Sequence, residues 1–135
     1  MYIDTLSSVK NPRIKELVTL QERSRERRES GLFVVEGTRE LEACIKGGFV
    51  IDTLFFRPEI YPLERAKETG CQQLNEVTAE LYSKIAYRDS TEGVIAIVRE
   101  KHTSLEEFTL SANPLIIVLE AVEKPGNLGA VLRTA

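Results

Sequence analysis

Ser30-Gly31-Leu32-Phe33-Val34-Val35-Glu36-Gly37-Thr38 holds, within nine residues, a stop, a strand and a helix start. Ser-Gly ends one segment, four apolar residues with adjacent valines read as a strand, and Glu-Gly-Thr turns the chain into a helix. That helix is expected from Arg39 to Lys46, with Leu41, Cys44 and Ile45 inward and Gly47-Gly48 as its stop. Upstream, Asn11-Pro12 pairs a polar cap with proline at the first turn. Ile14, Leu17, Val18 and Gln21 then share one face, and arginines 23, 25, 27 and 28 continue past it to Ser30. Downstream, Phe49 to Phe56 is apolar apart from Asp52 and Thr53, which suits a strand covered on both faces in a largely parallel sheet. A helix over Tyr61 to Glu68, a short strand over Cys71 to Leu74, a Thr78-capped helix to about Ala86 and a buried strand over Gly93 to Val98 complete the alternation. Helix alternating with strand implies a three-layer α/β domain spanning residues 1–99.

Residues 100–113 are polar and read as a linker. After Pro114 come Leu-Ile-Ile-Val-Leu119 and then Lys124-Pro-Gly-Asn-Leu-Gly-Ala-Val-Leu-Arg-Thr-Ala135. The apolar run predicts a strand, and Asn127 is expected to cap a helix carrying Leu128, Val131 and Leu132. A run of this kind left uncovered exposes ladder groups and apolar surface. Residues 114–135 therefore read as the start of a second α/β domain whose remainder lies outside this chain. The alternative is that the run joins the first sheet.

Composition narrows the function classes. The 135 residues are 42% hydrophobic and 29% charged, as in a soluble globular protein, and no apolar run is long enough to span a membrane. The N-terminus lacks the features of a secretory signal, so a cytoplasmic location is expected. Cys44 and Cys71 have no metal-site spacing and are expected to be small buried hydrophobes. His102 is the single histidine, which leaves no basis for a histidine triad or a multi-histidine metal site; no metal is expected. The net charge is −3, but residues 10–28 carry seven basic and three acidic side chains. Such asymmetry fits a surface that meets phosphates or, equally, a solvated helix laced with ion pairs.

The strand, Gly-rich turn and helix start at the C-terminal end form a natural anion-binding arrangement, although the loop taken alone is nonspecific and reads more readily as an ordinary capped turn. The turn lacks the Gly-Lys-Ser/Thr of a P-loop and the G-x-G-x-x-G of a dinucleotide fold. Pro125-Gly126-Asn127-Leu128-Gly129 with Arg133-Thr134-Ala135 closely resembles motif 1 of the SpoU (TrmH) family of RNA ribose 2′-O-methyltransferases. Asn11-Pro12-Arg13-Ile14-Lys15 with Leu17, and Gly31 to Gly37, resemble the substrate-binding domain that precedes catalysis in many of these enzymes. Ser90-Thr91-Glu92-Gly93-Val94 falls where relatives commonly have Gln-Gly, so Glu92 is a departure; Glu123-Lys124 is another, where many relatives carry Asp or Asn.

The resemblance implies a ribosomal-protein L30e-like RNA-binding domain followed by a SPOUT domain with a deep trefoil knot. It further implies S-adenosylmethionine as cofactor, held by motifs 2 and 3 that follow motif 1, and a homodimer. The RNA would be ribosomal or transfer RNA. Motif 1 would supply Arg133 as catalytic residue, with Asn127 beside it, and Pro125, Gly126 and Gly129 as the loop. A guanidinium with a pKa above about 12 is a poor proton acceptor, so Arg133 is read as a clamp on ribose and phosphate. Lys10, Asn11, Arg13, Lys15, Arg23, Arg25, Arg27, Arg28 and Arg39 are the candidates for RNA contact, positioning rather than choosing sequence. Among the aromatics, Phe33, Phe49, Phe55 and Phe56 are expected in the core, and Tyr61, Tyr82 and Tyr87 are stacking candidates. A chain ending at motif 1 is expected to lack methyl transfer. The competing reading is a stand-alone L30e-like RNA-binding module without catalysis.

Overall fold

Asn11 opens the first long helix as its sequence implies: the side-chain oxygen accepts from Arg13 N at 2.9 Å and Pro12 occupies the first turn. The computed structural model describes residues 3–87 and 92–135. Its elements are β1 (Asp4–Leu6), α1 (Pro12–Glu22), α2 (Ser24–Ser30), β2 (Leu32–Glu36), α3 (Thr38–Lys46), β3 (Ile51–Phe56), α4 (Leu63–Glu68), β4 (Gln73–Val77), α5 (Ala79–Ile85), β5 (Val94–Arg99) and α6 (Pro125–Thr134). They fall into two compact units, Met1–His102 and Thr103–Ala135.

In the first unit the strands form one sheet in the order β1-β4-β3-β5-β2. β4 runs parallel to β1 and β3, whereas β5 runs antiparallel to β3 and β2. The sheet is thus mixed, not largely parallel. The unbroken apolar runs that suggested parallel strands report burial on both faces, which an antiparallel central strand shares: Val94 to Val98 of β5 are all buried. One face packs Ile14, Leu17 and Leu20 of α1 and Leu81, Tyr82 and Ile85 of α5 against Phe55, Ile95 and Ile97. The other packs Leu41 of α3 and Ala66 of α4 against Leu54, Phe56, Ala96 and Val98. Helices on both faces make the three layers, each fully buried aliphatic or aromatic side chain contributing about 1.5–3 kcal/mol by transfer.

Three boundaries differ from the sequence reading for identifiable reasons. The basic segment is not one helix: Arg23 adopts an extended conformation (φ −114°, ψ 107°) and separates α1 from α2. Arg27 reaches back across the break, donating to Leu20 O at 2.6 Å and Gln21 O at 3.1 Å, carbonyls freed where α1 ends. β4 starts two residues later and ends three later than Cys71–Leu74, because the polar Asn75 is buried in the strand rather than placed in a turn. Arg13 Nη1 donates to the Asn75 side-chain oxygen and, at 3.2 Å, to Asp4 Oδ2, tying α1 to the two strands beneath it. β1 was not expected at all.

That tie gives a prediction. Arg13→Ala leaves the Asn75 oxygen buried without its donor, a loss of about 1–3 kcal/mol. Urea unfolding followed by circular dichroism should show a lower midpoint at unchanged slope; an unshifted midpoint would refute the role.

In the second unit α6 is the regular element, and Leu115–Leu119 enter no ladder among the described residues. All five side chains are exposed, Val118 to 87%. The expected strand is therefore an apolar run without a sheet. The helix also starts earlier than expected: Lys124 is the N-cap and Pro125 the first helical residue, so Asn127 lies inside the first turn. Proline has no N–H to leave unpaired there, which favours it at the first position.

Candidate nucleic-acid interface

The nine candidate RNA contacts divide by what their side chains already do. Asn11 is committed to the α1 cap, Arg13 to Asn75 and Asp4, and Arg27 to the α1 carboxyl end. Arg25 pairs with Glu29 at 2.7 Å, an exposed i,i+4 pair of small worth. Lys10, Lys15, Arg23, Arg28 and Arg39 are exposed, and their side chains form no ion pair or hydrogen bond with a described residue. Nothing local distinguishes Arg13 from Lys15 in the sequence, since Asn75 lies 62 positions away.

The aromatics divide as well. Phe55 and Phe56 are fully buried, while Phe33 and Phe49 are half-buried and meet edge-to-face at 5.9 Å. Tyr61 and Tyr82 are core residues, with Arg65 over the Tyr61 ring at 5.2 Å and Arg57 over the Tyr82 ring at 6.0 Å. Neither can stack on a base. Tyr87 is 87% exposed. Its backbone N–H is held by Glu36 Oε2 at 2.8 Å, which sets it at the rim of a cleft of about 500 Å³ along β2. Glu36 and Glu40 line this cleft and were not singled out from sequence, where they read as a turn residue and a solvated helix residue.

Glu92 acquires a role from position. Its Oε2 accepts from Thr38 N at 2.5 Å, which places a carboxylate at the N-terminus of α3, where the helix dipole favours it. Gly37, the N-cap, has φ +105° and no Cβ to obstruct that approach. Ser90 and Thr91 lie outside the described residues.

Cys44 and Cys71 are free and half-buried rather than fully buried. Burial raises both thiol pKa values, which favours the protonated thiol. His102 is exposed. Among the described residues no cluster of three His, Cys, Asp or Glu could hold a metal, and no helix is long and apolar enough to cross a membrane.

In the second unit, Asn127 and Arg133 are both exposed. Six positions apart on α6, they point about 120° apart around the axis, so the helix alone does not converge them. Gly129 and Arg133 are one turn apart: a Cβ at Gly129 would meet Arg133 Nη1 at 3.4 Å, so the guanidinium folds back over the glycine. A Cβ at Gly126 would meet nothing within 4 Å. A shallow hollow of about 400 Å³ lies between Leu115, Ile117, Ala130, Val131, Thr134 and Ala135. Its one side-chain hydroxyl, on Thr134, donates to Ala130 O at 2.9 Å.

The family of MRM3-like substrate binding domains matches residues 11–96. The rRNA methyltransferase 3, mitochondrial, of Xenopus tropicalis is 25% identical over 130 residues, covering 91% of this chain and 31% of that protein. The crystal structure of an RNA 2′-O ribose methyltransferase is similar at 36% identity and a TM-score of 0.71, covering 96% of this chain and 50% of that one. An AdoMet-bound rRNA methyltransferase from Sinorhizobium meliloti shares the fold at 22% identity, with a TM-score of 0.63 over 81% of this chain and 41% of that one. The chain thus spans about a third to a half of the length of these relatives. Because the match runs from the cap of α1 into β5, reaching four of the five strands of the described sheet, the chain belongs to the family of MRM3-like substrate binding domains.

Proposed function

We propose that this chain is the RNA-recognising N-terminal portion of an S-adenosylmethionine-dependent RNA ribose 2′-O-methyltransferase, carrying the first catalytic motif as well. The observation that carries the reading is the union, in one chain, of a substrate-binding domain over residues 11–96 with Pro125 to Ala135 behind an exposed apolar run. On this reading residues 1–99 are an L30e-like RNA-binding domain, 100–113 a linker, and 114–135 the start of a SPOUT domain whose trefoil knot forms with further chain. The substrate is ribosomal or transfer RNA, the whole enzyme a cytoplasmic homodimer, and no metal takes part.

Among the described residues, those around the hollow beside α6 do not fit the cofactor. Sulfonium, adenine and amino-acid groups need donors and acceptors, and the hollow beside α6 offers an apolar wall with its hydroxyl already engaged. S-adenosylmethionine is therefore assigned to motifs 2 and 3 of the whole enzyme. What this chain contributes is Arg133, exposed and unpaired, as a clamp on ribose and phosphate, with Asn127 shaping the turn.

Incubating the 135-residue chain with tritiated S-adenosylmethionine and a structured rRNA fragment tests the reading. Filter binding should show RNA retained with affinity falling steeply as salt rises, and no tritium should enter the RNA. Methyl transfer by this chain alone, or failure to retain RNA at low salt, would overturn it.

A further inference from the structure

β2 is the last strand of the sheet, so one of its long sides has no strand partner among the described residues. Gly31 O accepts from Glu100 N at 2.8 Å and Gly37 N donates to Val94 O at 3.1 Å. In an antiparallel ladder the bonding residues alternate, so Phe33 and Val35 face β5 while Leu32, Val34 and Glu36 turn their backbone groups outward. The Leu32 N–H is taken by Ser30 Oγ at 3.2 Å. Val34 therefore presents both an N–H donor and a C=O acceptor to the cleft it lines.

The rest of the cleft defines what such a pair would read. Leu20, Phe33 and Val35 supply apolar wall, and the exposed Tyr87 ring stands at the rim. The Glu40 carboxylate lines the same space and takes no hydrogen bond or ion pair from a described residue. Arg28 and Arg39, each next in sequence to a lining residue, are exposed and unpaired. Arg27 also lines the cleft, but its guanidinium donates to the Leu20 and Gln21 carbonyls, so the Glu40 carboxylate disfavours a phosphate there, and an added peptide strand would have to bury that carboxylate. A flat heterocycle with N–H groups on one edge can meet the Glu40 carboxylate, the Val34 backbone pair and the Tyr87 ring together. Guanine fits best, because its N1–H and N2–H₂ offer two donors to one carboxylate, whereas uracil has a single N–H.

We infer that the cleft between the open edge of β2, Glu40 and Tyr87 takes an unpaired guanine base of the RNA, with Arg28 and Arg39 meeting the flanking phosphates. The inference rests on the RNA-binding reading above and adds a base-specific pocket to it. Single-stranded bases splayed onto aromatic rings and read along their Watson–Crick edges are the usual mode of sequence-specific RNA recognition.

The test is fluorescence anisotropy of the 135-residue chain with two labelled oligoribonucleotides, UUUGUUU and UUUUUUU. The guanine heptamer should bind about tenfold more tightly. Glu40→Gln should abolish that preference, and Tyr87→Ala should weaken the guanine heptamer about tenfold. Both residues are exposed, and circular dichroism should show the fold unchanged. Equal affinity for both heptamers, with both variants silent, overturns the pocket while RNA binding through the arginines stands. No binding of either heptamer or of structured RNA overturns the pocket and the RNA reading together. Guanosine monophosphate displacing the heptamer at equal concentration overturns the assignment to RNA. Self-association through this edge, abolished by Val34→Pro, overturns it in favour of strand pairing.

Discussion

A chain carrying Gly37→Ala is expected to lose about 2–3 kcal/mol of folding stability, more than a surface turn substitution normally costs. Two terms add. Gly37 has φ +105° and ψ 155°, a conformation nearly closed to residues with a Cβ and worth about 1–3 kcal/mol of strain. The new Cβ would also lie 2.5 Å from Glu92 Oε2 and 2.6 Å from Glu40 Oε2. Both are ends of flexible side chains and can withdraw, but Glu92 then releases the Thr38 N–H, and loss of a helix cap costs about 0.5–2 kcal/mol. For a unit of this size the melting temperature should fall by about 10–20 °C. Gly31→Ala is the control: φ there is +67°, nothing lies within 4 Å of the added carbon, and the backbone term stands alone. Thermal melts of both variants, followed by circular dichroism, check the difference. Equal shifts would refute the extra cost assigned to Gly37, its steeper backbone strain and the Glu92 contact taken together.

The second large effect concerns binding. Replacing Lys10, Lys15, Arg23, Arg28 and Arg39 together by alanine is expected to lower affinity for structured RNA by about three orders of magnitude near 0.1 M salt. Each lost phosphate contact removes about 0.7–0.9 from the slope of log affinity against log salt. The melting temperature should hardly move, since these side chains have no partners among the described residues. Arg13→Ala should do the reverse, lowering stability through Asn75. Filter binding at a series of salt concentrations separates the two classes. A slope unchanged by the fivefold substitution would place the RNA on another surface.

Much of the first unit was legible because its signals are local. The Asn11-Pro12 start, the Gly31 stop, the Thr78 cap, where Oγ1 accepts from Leu81 N at 3.2 Å, and the apolar runs of β3 and β5 each depend on neighbours a few positions away. What was not legible depends on distant partners. β1 is three residues long and has one buried side chain, Leu6, so it carries no periodic signal of its own. Strand direction was misread because two-sided burial says nothing of polarity. Leu115–Leu119 are five consecutive apolar residues yet enter no ladder among the described residues, since a strand is completed by a partner and not by its own residues. The site shows the same division. Charge was visible at Arg13 and Arg27, but not that Asn75 and the end of α1 already engage them. Tyr61, Tyr82 and Tyr87 look alike in sequence, and their surroundings separate two core rings from one exposed ring. The β2 cleft joins α1, α2, β2, α3 and Tyr87, a convergence that no motif spacing encodes.

The strand order also constrains how the sheet is made during synthesis. β5 lies between β3 and β2, and it is the last of the five to leave the ribosome. Until Val94–Arg99 emerges, β2 has no neighbour on either side and β3 can pair with β4 alone. The first hundred residues therefore wait as separate apolar pieces, joined late by contacts of long sequence separation, a topology that slows folding. In that interval apolar strand surface stands exposed to aggregation, and β5 acts as the key that locks two halves of a sheet already present in the polypeptide.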